Sequence, residues 1–266
     1  RVALSRKLLP IPNQQLQYLV ANNPNLNGLD GELCATYLGH PQSYIETESV
    51  LMSKSVFLPP DFRFWVFDRW DRAQDSFEER YESIKACSMF FPLWVKPLHH
   101  QKLYTLEQLN SFEKLALDTG FEGLILRAPY SPYKFGRSTN KEGWMLKLKR
   151  FQDSEAEILS IIREKRNLNI DKLDAVGNTK RASIASFQMD ANIAGSMLVR
   201  DIHGLHATQA FPIGMGKATK EERIQIMNKW ECIVGNTVRY KFFPYGQAAG
   251  SPPRHASFLN FVSLDL

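Results

Sequence analysis

Through residue 150, short apolar runs bounded by turn residues alternate with stretches of helical spacing, a pattern with too many strands for a helical bundle. Strands are predicted over residues 26–33, 62–67, 93–98, 123–127 and 145–149, with helices filling the gaps. Ser76 with Glu79 and Thr105 with Gln108 have the spacing of a capping box, in which the first side chain accepts from a free backbone N–H and the second reaches back. Each is expected to open a helix. In the second helix Leu106, Leu109, Phe112, Leu115 and Ala116 recur at helical spacing and predict a core-facing stripe, with Gly120 placed to end it.

Beyond Arg150 the rhythm changes to short strands, predicted over residues 157–162, 197–201, 205–211, 238–243 and 258–262. A third capping box, Thr219 with Glu222, opens a helix reaching about Trp230. Five short strands with one helix suit a small Greek-key barrel such as an OB-fold. The polar, basic stretch 163–185 is expected to be a long loop. The domain boundary falls near Phe151 to Asp153, giving domains over residues 1–151 and 152–266.

Composition narrows the class only slightly. The chain has 266 residues, 44% hydrophobic and 23% charged, as in a globular protein, and a net charge of +5 that leaves an anionic partner open. Cys34, Cys87 and Cys232 are odd in number and far apart, which fits neither a disulfide framework nor a metal cluster. No run approaches a membrane span and the start is not a signal peptide, so an intracellular, cytoplasmic protein is expected.

Four short runs carry candidate chemistry. In Leu29-Asp30-Gly31-Glu32-Leu33 a glycine between two acids lets the backbone turn and approach a ligand, though the run also suits a strand entering an acidic turn. Phe64-Trp65-Val66-Phe67-Asp68 sets aromatic rings beside an acid, able to stack on a nucleobase or to pack in a core. Glu122-Gly123 precedes an apolar strand, where a carboxylate can hold a hard divalent cation or simply meet solvent. In Trp144-Met145-Leu146-Lys147-Leu148-Lys149-Arg150 the strand period puts Lys147 and Lys149 on one face, able to hold a phosphate or to guard an edge strand.

Together and in this order, Ser5-Arg6, Asp30-Gly31-Glu32-Leu33, Phe67-Asp68, Glu122-Gly123 and the Lys147/Lys149 pair resemble the covalent nucleotidyltransferase superfamily. Within it the match is to ATP-dependent DNA ligases. The stretch 181–258, with Gly214-Met215-Gly216 and Lys241-Phe242-Phe243-Pro244, is similar to the small ligases of bacteriophages and bacteria. The resemblance implies an α+β fold, an adenylation domain with antiparallel sheets followed by an OB-fold domain that closes over nicked duplex DNA. It implies ATP and Mg²⁺ as cofactors and a monomer. It also implies an enzyme–AMP intermediate on a lysine, transfer of AMP to the 5′-phosphate of a nick, and its displacement by the 3′-hydroxyl. By resemblance Arg6 contacts the nucleotide or nick phosphate, Glu32 the ribose or a metal, Phe67 stacks on adenine, Glu122 holds Mg²⁺, and Lys147 and Lys149 neutralise the AMP phosphate.

The nucleophile of that family lies in a Lys-x-Asp-Gly run. The only Asp-Gly here, Asp30-Gly31, has no lysine before it. The chain is therefore expected to be an N-terminally truncated ligase, unable to adenylylate itself. Of the basic C-terminal motif of cellular ligases only Arg254 is matched. Lys180, Arg181 and Arg254 are the candidate nucleic-acid contacts, the first two in the basic stretch with Lys165 and Arg166. An RNA ligase, a capping guanylyltransferase or a non-catalytic nick-binding protein would carry much of the same pattern.

Overall fold

The computed structural model describes residues 1–35, 43–174, 177, 179–182, 184–203, 206, 209–244 and 252–262. Contacts divide the chain into two compact units, Arg1–Lys149 and Arg150–Leu266. No helix among the described residues is long and apolar enough to cross a membrane.

In the first unit the elements run α1 (Gln14–Ala21), β1 (Leu29–Cys34), α2 (Ser43–Met52), β2 (Arg63–Arg69), α3 (Phe77–Cys87), β3 (Val95–Pro97), α4 (Leu106–Asp118), β4 (Gly123–Arg127) and β5 (Met145–Lys149). Strands β1, β2 and β3 form one sheet, antiparallel between β1 and β2 and parallel between β2 and β3. Strands β4 and β5 pair antiparallel by themselves. Two apolar clusters support them: Ile11, Leu16, Leu51 and Phe62, and Leu26, Val66, Ile84 and Val95. Asn13, fully buried, caps α1 by accepting from the Leu16 N–H at 2.9 Å. Its amide also donates to the carbonyls of Val50, Ser53 and Val56, so one side chain ends α2 and begins α1.

Both halves of the Ser76–Glu79 box are present, whereas Gln108 reaches the Tyr104 N–H instead of that of Thr105. The stripe expected on α4 is corrected: Leu106 and Leu115 are 71% and 57% exposed, while Glu113 and Ala116 are buried. The packed face is rotated so that the helix turns Phe112, Glu113 and Ala116 inward and leaves the outer leucines to solvent.

The second unit comprises β6 (Gln152–Asn167), β7 (Asp171–Leu173), β8 (Thr179–Arg181), β9 (Gln188–Asp201), β10 (Phe211–Gly214), α5 (Lys220–Asn228), α6 (Trp230–Ile233), β11 (Thr237–Phe243) and β12 (Arg254–Phe261). Five strands close into a barrel in the order β10-β12-β11-β6-β9, with α5 and α6 between β10 and β11, which is the OB-fold. Inward residues of every barrel strand, among them Ile158, Val199, Ile213, Tyr240 and Phe258, fill its core together with Ile226 of α5.

Two expectations for this unit are overturned. The strand placed over residues 205–211 begins only at Phe211, and residues 204, 205, 207 and 208 lie outside the described residues. The long loop over 163–185 is instead the far end of β6 followed by a hairpin, β7 with β8, although residues 175, 176, 178 and 183 are outside the description. Polar bonds hold this hairpin: Asn167 donates to Ala182 O, Asn169 to Ile184 O, and Arg181 pairs with Asp171 and donates to Asn167 O. Side-chain hydrogen bonds of this kind leave no apolar alternation to read.

Candidate active site

Strand β1 brings the acidic pair into place. Its register with β2 slips between Asp30 and Gly31, so that Asp30 faces Asp68, Gly31 faces Val66, and Phe67 has no partner in β1. A bulge of this kind bends the strand and re-aims the side chain at the extra residue. Gly31 is required by close approach rather than by a turn: a Cβ there would lie 2.4 Å from the Trp65 carbonyl oxygen.

Glu32 is on the exposed side of β1, yet protein crowded around its carboxyl pushes it above the usual carboxylate range. Lost hydration of the carboxylate is the main cause, followed by the negative charges of Asp30 and Glu122, while Lys147 and Arg6 pull it back. Four elements therefore meet electrostatically at Glu32. Arg6 comes from the turn closed by Leu8 N–H donating to Ser5 O at 2.8 Å, in the arm where Leu4 bridges Pro10. Glu122 stands just before β4, and Lys147 projects from β5 opposite Ile125.

The β4–β5 pair sets the remaining geometry. Gly123 has φ of 143°, and a Cβ on it would come within 2.2 Å of the Leu148 carbonyl oxygen, so only glycine can follow Glu122 at this approach. Gly123 pairs with Lys149, which brings the Lys149 ammonium to 2.5 Å from the Glu122 carboxylate. Lys147 and Lys149 are both exposed, and Leu146 and Leu148, which alternate with them, are half-buried, as the strand period requires. Phe67 is half-buried between two buried residues, Val66 and Asp68.

Behind this face lies a buried ionic node. Asp68 is wholly buried and accepts two hydrogen bonds from Arg80, at 2.7 and 3.1 Å, and one from Arg127. Both guanidinium groups lie over the Phe77 ring, Arg127 at 4.5 Å and Arg80 at 5.7 Å. Tyr133 donates its hydroxyl to Asp30 at 2.7 Å. Burial raises Asp30, the Tyr133 hydrogen bond lowers it, and Asp68 and Arg127 act on it in opposite senses. Of the node, Asp68 and Arg127 stand within runs that sequence reading singled out. Arg80 reads as a solvated charge on an acidic helix, and Tyr133 stands in a turn-rich stretch without a signature.

In the barrel unit Lys180 is exposed and directly opposite Lys172 across the hairpin, while Arg181 is paired with Asp171. Lys165 faces Asp190 in the β6–β9 ladder. Arg254 opens β12 with its guanidinium over the Phe243 ring at 5.8 Å. A shallow hollow on this unit is lined by Asp153, Ser154, Glu155, His203 and Arg239, none of them a sequence-predicted site residue, and Glu155 there pairs with Arg239 at 3.3 Å.

No protein-family model matches the chain, and no curated protein sequence matches it. Solved structures do. A structure of a Lig E DNA ligase, studied for DNA binding with a minimal scaffold, is similar over 98% of this chain and 85% of its own, with a TM-score of 0.69 and 24% identity. A protein called Pmar-Lig_Pre is similar over 89% of this chain and 51% of its own, with a TM-score of 0.64 and 15% identity. Chlorella virus DNA ligase-adenylate matches over 97% of this chain and 85% of its own at 26% identity, with a TM-score of 0.47. The fold of this chain is thus the one found in a Lig E DNA ligase.

Proposed function

We propose that this chain has the adenylation and OB-fold domains of an ATP-dependent DNA ligase, acting as a monomer with ATP and Mg²⁺ on nicks in duplex DNA, and that without a Lys-x-Asp-Gly run it does not adenylylate itself. The observation that carries the reading is the meeting of Arg6, Glu122 and Lys147 at Glu32, with Lys149 paired to Glu122. Acids and cations drawn from four elements make a site suited to a metal-assisted phosphoryl transfer. The donor set fits Mg²⁺, which takes one or two carboxylates and completes its shell with phosphate oxygens and water. A cation there would offset both the lost hydration of Glu32 and the repulsion from Asp30 and Glu122.

Phosphoryl transfer of this kind needs little covalent chemistry from the protein beyond positioning and charge neutralisation. ATP supplies the adenylyl group, and Mg²⁺ supplies positive charge at its phosphates. Glu122 would hold the metal, and Glu32 would contact the metal or the ribose. Lys147 and Lys149 converge from one face of β5 on the AMP phosphate. Phe67, set by the bulge, stacks on adenine, and Arg6 contacts the nucleotide or the nick phosphate. In the barrel unit Lys180, Arg181 and Arg254 contact the DNA backbone. Lys172 joins them, because two lysines directly opposed in a ladder disfavour the hairpin unless an anion lies against them.

The test is single-turnover sealing, by the 266-residue chain, of a nicked duplex that already carries a 5′-adenylylated phosphate. Lys147→Ala is expected to slow sealing by about 10²–10³-fold while leaving the fold intact, the usual cost of one preorganised charge partner. Sealing at the parental rate would leave Lys147 as no more than an edge-strand guard.

A further inference from the structure

Asp68 is already balanced by Arg80, which is 1% exposed and gives it two hydrogen bonds. A second guanidinium, from Arg127, nonetheless joins the same carboxylate, so the three groups together carry one excess positive charge. The counter-charge is at hand in Asp30, the cross-strand partner of Asp68, on which Arg127 acts electrostatically. Carboxylates directly opposed across an antiparallel ladder push the strands apart. Here the opposition falls at the bulge, where Asp30 and Gly31 of β1 meet the unpaired Phe67 of β2. Arg127 comes from outside this sheet, at the end of the β4 strand that begins beside Glu122. It is 15% exposed, its Nη1 donates to the Met145 sulfur at 3.3 Å, and its guanidinium rests on Phe77.

We propose that Arg127 is a positioning residue that ties the Glu122 strand to the β1–β2 bulge, holding Phe67 and Glu32 in register with Glu122. Its role rests on the ligase reading given above. It acts through the two acids: one guanidinium shared between Asp30 and Asp68 lets the bulge close without strand repulsion. That fixes where the Phe67 ring stands relative to the carboxylate before β4. A residue needed only for stability would have no such link to Phe67.

The experiment measures how much more tightly the 266-residue chain binds a nicked duplex carrying a 5′-adenylylated phosphate than the same nick without AMP. Arg127→Met keeps an unbranched side chain at this position and removes the guanidinium, and with it the tie. It is expected to cut the adenylate-dependent gain by about tenfold, with Arg127→Lys recovering part of it. In a double-mutant cycle with Phe67→Ala the two losses are expected to be strongly non-additive, because Phe67 no longer counts once it is out of register. Cooperative thermal unfolding checks that each variant is folded. A parental chain with no preference for the adenylylated nick would overturn the ligase reading and this assignment with it. A parental preference that survives Arg127→Met, or falls additively with Phe67→Ala, would overturn the assignment alone. Failure of both Arg127 variants to fold would do the same, leaving Arg127 a purely structural residue.

Discussion

Removing the opposed lysines of the barrel hairpin, Lys172→Ala with Lys180→Ala, separates charges that meet DNA from charges that build the protein. The two are Cα partners in the β7–β8 ladder and both are exposed, so each is open to an anion from solvent. Each phosphate neutralised contributes about −0.9 to the slope of log affinity against log salt, so the double variant should flatten that slope by about 1.8 units. Between roughly 50 and 200 mM salt, the parental chain should then lose about tenfold more affinity for nicked duplex than the variant loses. Arg181 behaves differently because Asp171 already pairs with it in a bidentate fork. Arg181→Ala should change the slope by clearly less than either lysine. Fluorescence-anisotropy titrations of a labelled nicked duplex at several salt concentrations measure all three slopes. An unchanged slope in the double lysine variant would show that the hairpin merely faces solvent, and an equal effect of Arg181 would show that its pairing with Asp171 opens on DNA.

Asp68→Asn leaves Arg80 buried without its counter-charge and should cost about 3–5 kcal/mol, a large part of a typical domain's stability. Urea denaturation measures it, and a loss below about 1 kcal/mol would mean that the node is not what holds β2 to α3. Burial, helped by the nearby Arg127 charge, pushes the His100 imidazole down from 6.5 to about 4. The unfolded chain therefore takes up this proton at a higher pH than the folded one. Stability is fully present above about pH 6.5 and is lost as the pH falls toward about 4. Denaturation midpoints should fall more steeply over that window in the parental protein than in His100→Phe, and parallel curves would contradict the assignment.

What was legible in the sequence is what local chemistry or strand period determines. Ser76 with Glu79 and Thr219 with Glu222 close both halves of their boxes because every partner lies within one turn. Strands β4 and β5 run over the residues that their apolar runs predict, and the period sets Lys147 and Lys149 on one face. The hairpin at β7 and β8 was hidden because each strand is three exposed residues long and is held by Asn167, Asn169 and Arg181 rather than by burial. Leu106 and Leu115 misled because helical spacing alone does not say which of two overlapping faces packs, and Glu113 lies on the one that does. Of the proposed site residues, Glu32, Phe67, Glu122, Lys147 and Lys149 stand in short runs of the sequence, and Arg6 entered through the order of those runs. The Asp68–Arg80–Arg127 node could not, since a buried arginine on a helix has the same letters around it as a solvated one. The bulge that frees Phe67 from its ladder is likewise a property of two strands at once.

The most direct test of the proposed site is whether this chain recognises the AMP on a nick. Equilibrium binding of the 266-residue chain to a 5′-adenylylated nicked duplex, against the same duplex with a plain 5′-phosphate, asks this without requiring self-adenylylation. Stacking of adenine on Phe67 is worth about 1–3 kcal/mol by itself, so the adenylylated nick should bind about tenfold or more tightly, and Phe67→Ala should remove most of that gain. Equal affinities for the two nicks, with Phe67→Ala changing neither, would contradict the account.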